Sequence, residues 1–80
     1  MTKQFRLENG LLKIGEIAKE LSINQSTIRY YTEIGLLPVV ETTESGYRLY
    51  DREETGRRIS IIREINGTRL KLTQIIARLA

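Results

Sequence analysis

Two short apolar stripes, interrupted once and then stopped hard, constrain this chain more than any other feature. Ile14, Ile17, Ala18 and Leu21 fall at i, i+3, i+4 and i+7, which is one face of a helix. Ser22-Ile23-Asn24 then breaks the pattern. Asn24 is a good N-cap, so a second helix is expected from Gln25. Ile28 and Tyr31 share one of its faces, and Arg29 and Tyr30 take the neighbouring face. Gly35 suits the left-handed position just past a helix end, Leu36 can fold back onto Tyr31, and Pro38 blocks a restart. Two short helices with a tight connection spell a helix-turn-helix, although many helical hairpins share that spacing.

The flanking segments change character. Val39 and Val40 favour a strand, residues 41–46 are polar with a turn glycine, and Tyr47-Arg48-Leu49-Tyr50 alternates. This predicts a two-stranded hairpin with its tip near Thr43 to Gly46. Asp51 is placed to start a third helix, with Glu54 as its N3 partner. Ile59, Ile62 and Ile65 form its buried stripe, with Ile61 beside it, and Asn66-Gly67-Thr68 ends it. Leu72, Ile75, Ile76 and Leu79 form the stripe of a fourth helix that runs to the last residue. Upstream, Asn9-Gly10 lies between apolar neighbours, the strongest short hairpin signal. A small hairpin and an unstructured leader fit residues 1–12 equally well.

Composition narrows the function. A chain of 80 residues has room for one domain with a thin core. It holds no Cys and no His, which excludes disulfides, thiolate chemistry, histidine bases and most transition-metal sites. Its carboxylates show no paired geometry and no Gly-rich phosphate loop is present, so an enzyme is not expected, and neither is a metal or cofactor in this segment. No apolar run approaches a membrane span, and Met1-Thr2-Lys3-Gln4 leads into no signal core. A cytoplasmic protein is expected. The net charge is +3, and from Arg57 onward Arg57, Arg58, Arg63, Arg69, Lys71 and Arg78 face one acid, Glu64. Such a balance suggests a polyanionic partner, with a solvated helix face as the plainer explanation.

The residues themselves say more. Ile14-Gly15-Glu16-Ile17-Ala18-Lys19, Thr27-Ile28-Arg29-Tyr30-Tyr31, Glu33-Ile34-Gly35-Leu36-Leu37-Pro38 and Gly46-Tyr47-Arg48-Leu49-Tyr50 closely resemble the DNA-binding domain of the MerR family of bacterial transcription regulators. The resemblance covers about residues 13–79. It implies a mainly α winged helix-turn-helix over residues 13–80, with four helices, a β-hairpin wing and residues 1–12 as an extension. It further implies a second wing between the last two helices, and double-stranded DNA with a two-fold operator as partner. Full-length members dimerise through a long helix, here beyond residue 80, and act on RNA polymerase by distorting the promoter. Because that helix is missing, the chain is either a piece of a longer protein or a small excisionase-like architectural relative. A winged-helix protein-interaction module is the reading from another class. The sequence departs from the family where Thr32 replaces an acid, Lys13 and Lys71 replace hydroxyl caps, Arg69 replaces glycine and Gly56 interrupts a helix. Tyr50 to Ile59 also runs one residue longer than usual.

On this resemblance Gln25, Ser26 and Thr27 open the helix spanning residues 25–34 that enters the major groove, where Gln pairs with adenine and Ser accepts either base. Arg29 projects from the same side and suits phosphate or guanine, unless Glu33 at i+4 claims it. Tyr30 offers its hydroxyl to a phosphate, while Tyr31 packs in the core. Tyr47 and Arg48 alternate on the wing, one toward the body and one out, with both near the DNA backbone. Leu49 and Tyr50 anchor the wing. Arg69 and Lys71 are phosphate contacts of the second wing. Arg52, Arg57 and Arg58 stay open, since Glu53 and Glu54 could neutralise them.

Overall fold

The structure is a computed structural model and describes residues 2–66 and 72–79. Its elements are α1 (Lys3–Glu8), β1 (Leu11–Lys13), α2 (Ile14–Leu21), α3 (Gln25–Glu33), β2 (Glu41–Thr42), β3 (Arg48–Asp51), α4 (Arg52–Asn66) and α5 (Leu72–Leu79). The winged helix-turn-helix class holds, with one helix and one strand added at the front.

That front is where the sequence reading needs correction. Residues 2–13 form neither a hairpin nor an unstructured leader. Thr2 caps α1, its Oγ1 accepting from the Phe5 N–H at 3.1 Å. Asn9-Gly10 ends the helix instead of turning a hairpin. The Asn9 amide donates to the Phe5 carbonyl at 2.8 Å, and Gly10 takes φ +70° just past the cap. Asn-Gly serves both purposes because each needs a residue at positive φ. The chain then enters β1, which pairs antiparallel with β3 (Leu11↔Asp51, Leu12↔Tyr50, Lys13↔Leu49). Because β2 pairs on the other side, the strand order is β1-β3-β2 and β3 is central.

The helix-turn-helix ends as its glycine predicts. Gly35 takes φ +86°, its N–H donates to the Thr32 carbonyl at 3.1 Å and that of Leu36 to the Tyr31 carbonyl at 2.8 Å. This is the Schellman closure, and it turns Leu36 and Leu37 inward. Both are buried. Asn24 behaves differently from expectation: its side chain makes no capping bond, and its carbonyl alone accepts from Thr27 and Ile28. Val39 and Val40 lie before β2, although the Val40 N–H still donates to the Leu49 carbonyl at 2.9 Å. Asp51 does cap α4, with Oδ2 accepting from the Glu54 N–H at 2.8 Å.

Two apolar clusters make the core. One joins Leu12, Ile17, Ala18, Ile28, Leu37, Tyr50 and Ile59, so it fastens α2, α3, the sheet and α4 together. The other joins Leu36, Ile62, Ile65, Ile75 and Leu79, between α4 and α5. Tyr31 packs against both, which makes it the structural residue its phase suggests. Ile76 was expected in the last helix's stripe, but it is 41 % exposed. It stands a quarter turn or so from Ile75, outside the narrow face that α5 buries.

Candidate nucleic-acid interface

The face of α3 turned away from Ile28 carries Ser26, Arg29, Tyr30 and Glu33, all exposed. Residues three and four apart stack along one side of a helix, so this is a single continuous face. Gln25 is exposed at its start and Thr27 is half-buried. The Gln25 side chain leans back over α2, where a Cβ built on Gly15 would stand 3.2 Å from its Nε2. Gly15 thus makes room for that side chain.

The alternative weighed for Arg29, a local pairing with Glu33, does not form. Glu33 is taken by the wing, with Arg48 Nη1 3.1 Å from its Oε1. That hydrogen bond is the main reason the Arg48 guanidinium sits above its usual pKa. Arg29 makes no hydrogen bond or ion pair among the described residues. Arg29, Glu33, Gly46, Tyr47 and Arg48 line one recess between α3 and the wing, floored by Ile14 and Tyr50. The structure therefore brings Arg29, Tyr47 and Arg48 together.

Tyr47 and Arg48 do not alternate between body and solvent; both are exposed. Tyr47 precedes β3 and follows Gly46 at φ +88°, so the pleat does not yet govern it. The Thr43 Oγ1 accepts from the Tyr47 N–H at 3.0 Å and holds the tip closed. Leu49 and Tyr50 are fully buried and anchor the wing as expected. Arg69 and Lys71 lie outside the described residues.

Arg52, Arg57 and Arg58, which the sequence left open, are engaged internally. Arg57 and Arg58 both bond Glu54, at 2.6 and 2.7 Å, and hold its carboxyl down at about 2, with Arg57 the larger cause. Arg58 also donates to the Leu36 carbonyl, and Arg52 pairs with Glu20. Arg6 was not anticipated at all. Only 5 % exposed, it bonds Glu16 at 2.9 Å and the Leu11 carbonyl at 3.1 Å. The same Glu16 oxygen accepts from the Lys13 N–H at 2.7 Å, the half of a capping box that needs no acceptor on Lys13. Among the described residues no cluster of three or more carboxylates could hold a metal, and no helix is long and apolar enough to cross a membrane.

Residues 13–50 match the family model for the MerR family regulatory protein. The crystal structure of HiNmlR, a MerR family regulator lacking the sensor domain, bound to promoter DNA, superposes with a TM-score of 0.69 at 25 % identity over 86 % of this chain and 54 % of that one. The chain carries a MerR-family domain. A Listeria monocytogenes protein assigned to the MerR family of transcriptional regulators superposes at 0.68 with 34 % identity, over 85 % of this chain and 51 % of that one. The mercuric resistance operon regulatory protein of Bacillus cereus is 40 % identical over 63 residues, 79 % of this chain and 47 % of its own length. HTH-type transcriptional regulator YfmP of Bacillus subtilis is 41 % identical over 66 residues, 79 % of this chain and 46 % of its own. The MerR-family domain therefore spans under half the length of these two curated relatives, and α1 precedes the residues that match the family model.

Proposed function

We infer that the chain is the double-stranded-DNA-binding domain of a MerR-type transcription regulator, with α3 in the major groove and the wing on the flanking phosphates. One observation carries this: Arg29 stands unpaired on the exposed face of α3, in the same recess as Tyr47 and Arg48 of the wing. A guanidinium without a protein partner, beside a second one in an exposed ion pair, suits an oxyanion-rich ligand. In this reading Ser26 and Thr27, with Gln25 once its side chain leaves Gly15, meet base edges at the first turn, Tyr30 and Tyr47 give hydroxyls to phosphates, and Arg69 and Lys71, outside the described residues, add phosphate contacts. The likeness to a regulator bound to promoter DNA supports this docking.

The DNA-binding unit is proposed to run over residues 13–80. In the whole protein, two such units bind a two-fold operator, joined by a helix beyond residue 80, and alter transcription by RNA polymerase in the cytoplasm through distortion of the promoter. No enzymatic step and no cofactor in this segment are part of the reading. The test is fluorescence anisotropy of the chain with labelled mixed-sequence duplexes across a salt series. Binding should weaken log-linearly with salt, by roughly 0.9 in slope per phosphate contacted. Absence of duplex binding at low salt would defeat the proposal.

A further inference from the structure

The basic strip does not stop at the wing. Tyr47 lines a second recess on its other side, together with Lys3, Arg6, Lys13, Thr43 and Ser45. No carboxylate lines it. Arg6 is already committed to Glu16 and the Leu11 carbonyl, so its charge is spent inside. The other two cations are not. Lys3 is exposed on α1 and makes no hydrogen bond or ion pair among the described residues. The Lys13 Nζ rests 4.2 Å above the Tyr47 ring, a contact that positions an ammonium and leaves its N–H groups free to donate. Lys13 is fixed in turn by strand pairing with Leu49, two residues past Tyr47.

We propose that this recess between α1 and the wing tip is a further phosphate site, in which Lys3 and Lys13 hold the backbone of duplex DNA beyond the stretch covered by α3. The Thr43 and Ser45 hydroxyls at the recess wall add neutral donors. The inference rests on the DNA-binding reading above. It commits to DNA because Tyr47 makes the recess continuous with the one holding Arg29 and Arg48, giving a run of four cations from α3 to α1. Glu33, bonded to Arg48, is the one acid lining either recess. Phosphate contacts position without reading sequence, so the extension lengthens the footprint without adding base preference.

The experiment is anisotropy of the chain with a duplex of about two helical turns, ~20 bp, over a salt series. Lys3→Gln and Lys13→Gln are tested singly and together, with Lys3→Arg as the charge-preserving control. Each Gln variant should make the salt slope shallower by roughly 0.9, the pair by about twice that, equally on every duplex sequence. Lys3→Arg should keep the original slope. Lys3 lies exposed near the start of α1, so Lys3→Gln reads the site even if Lys13→Gln disturbs β1. An unchanged slope in the folded double variant, with steep salt dependence in the parent chain, overturns this site and leaves the DNA-binding reading intact. A parent chain that binds no duplex at low salt removes both.

Discussion

Glu16 ties together two parts of this domain at once. Its carboxylate closes the start of α2 and is the counter-charge of the buried Arg6. Glu16→Ala would strand the Arg6 guanidinium, 6 % exposed in its side chain, with one carbonyl as partner. Breaking a buried ion pair from one side costs about 3–5 kcal/mol. Glu16 itself is 30 % exposed, and water admitted there would soften the loss. The lower end, about 3 kcal/mol, is therefore expected, against a total stability of roughly 4–12 kcal/mol for a chain this size. At about 4–8 °C per kcal/mol the midpoint should fall by about 12–24 °C. Thermal melting by far-ultraviolet circular dichroism reads this directly. A drop of only a degree or two would mean that Arg6 does not depend on Glu16, and the account of how α1 is anchored would be wrong.

The same pair sets an acid limit. The Arg6 hydrogen bond holds the Glu16 carboxyl below its ordinary value of 4.5. With the folded value depressed, the unfolded chain binds more protons as pH falls, so this contribution is present above about pH 4.5 and is lost as pH drops through the folded value. Glu54, at about 2, acts in the same sense over the window from 4.5 to 2. The melting midpoint should fall progressively below pH 4.5, and Glu16→Ala should show a shallower decline than the parent chain.

Other substitutions probe other parts of the argument. Ile62, 1 % exposed at the centre of the second cluster, should cost ~2–5 kcal/mol as Ile62→Ala, and an unmoved melting curve would show that the phase of α4 is misread. Thr55 is fully buried on α4 with an Oγ1 that has no hydrogen-bond partner. Thr55→Val keeps the shape and removes the stranded hydroxyl, so stability should rise by about 1 kcal/mol; a loss of that size in the same melt would reveal a partner for the hydroxyl. Gln25→Ala and Arg48→Ala should separate base reading from backbone contact. The first should cost about 1–3 kcal/mol on a preferred duplex and little on scrambled DNA, whereas the second should weaken all duplexes alike and flatten the salt slope by roughly 1. Anisotropy on both duplexes decides, and exchanged behaviour of the two variants would reverse the roles.

The helix-turn-helix was legible because its signals are local and redundant. A 3.6-residue stripe, Gly35 at a positive-φ position and Pro38 beyond it all favour the same stop. The α4 stripe was legible for the same reason. The front of the chain was not, because Asn9-Gly10 is compatible with a hairpin and with a helix end. The choice between them rests on a non-local event, the pairing of β1 with β3. Arg6 was unreadable for a related reason, since its partner lies ten residues away on another element. At the candidate interface, Arg29 and Arg48 were named from the motif, but the sequence offered Glu33 to Arg29 at helical spacing. The fold gave it to the wing, fifteen residues on. Lys13 was noticed only as a poor cap, and its place over Tyr47 depends on strand register.

Thr32 shows how one departure from the family pattern can be absorbed. Where the resemblance leads one to expect a carboxylate, the Thr32 hydroxyl takes up two contacts. It donates to the Ile28 carbonyl at 2.7 Å, a turn back, and lies 2.9 Å from the Tyr50 hydroxyl. Tyr50 is wholly buried on the central strand, so its hydroxyl needs a protein partner, and Thr32 on α3 supplies one. α3 and the wing are thus joined twice, by this bond on the inside and by Arg48 with Glu33 on the outside. The two joints differ in kind. The inner one is part-buried and ends on a fully buried tyrosine, where a hydrogen bond is stronger than in open water, so it helps fix the spacing of wing and helix. The outer one is solvent-exposed, where ion pairs contribute little, so a phosphate can take Arg48 from Glu33 without releasing the wing. Under the proposed function, that division would leave Arg48 available to a phosphate while the spacing of wing and helix stays fixed.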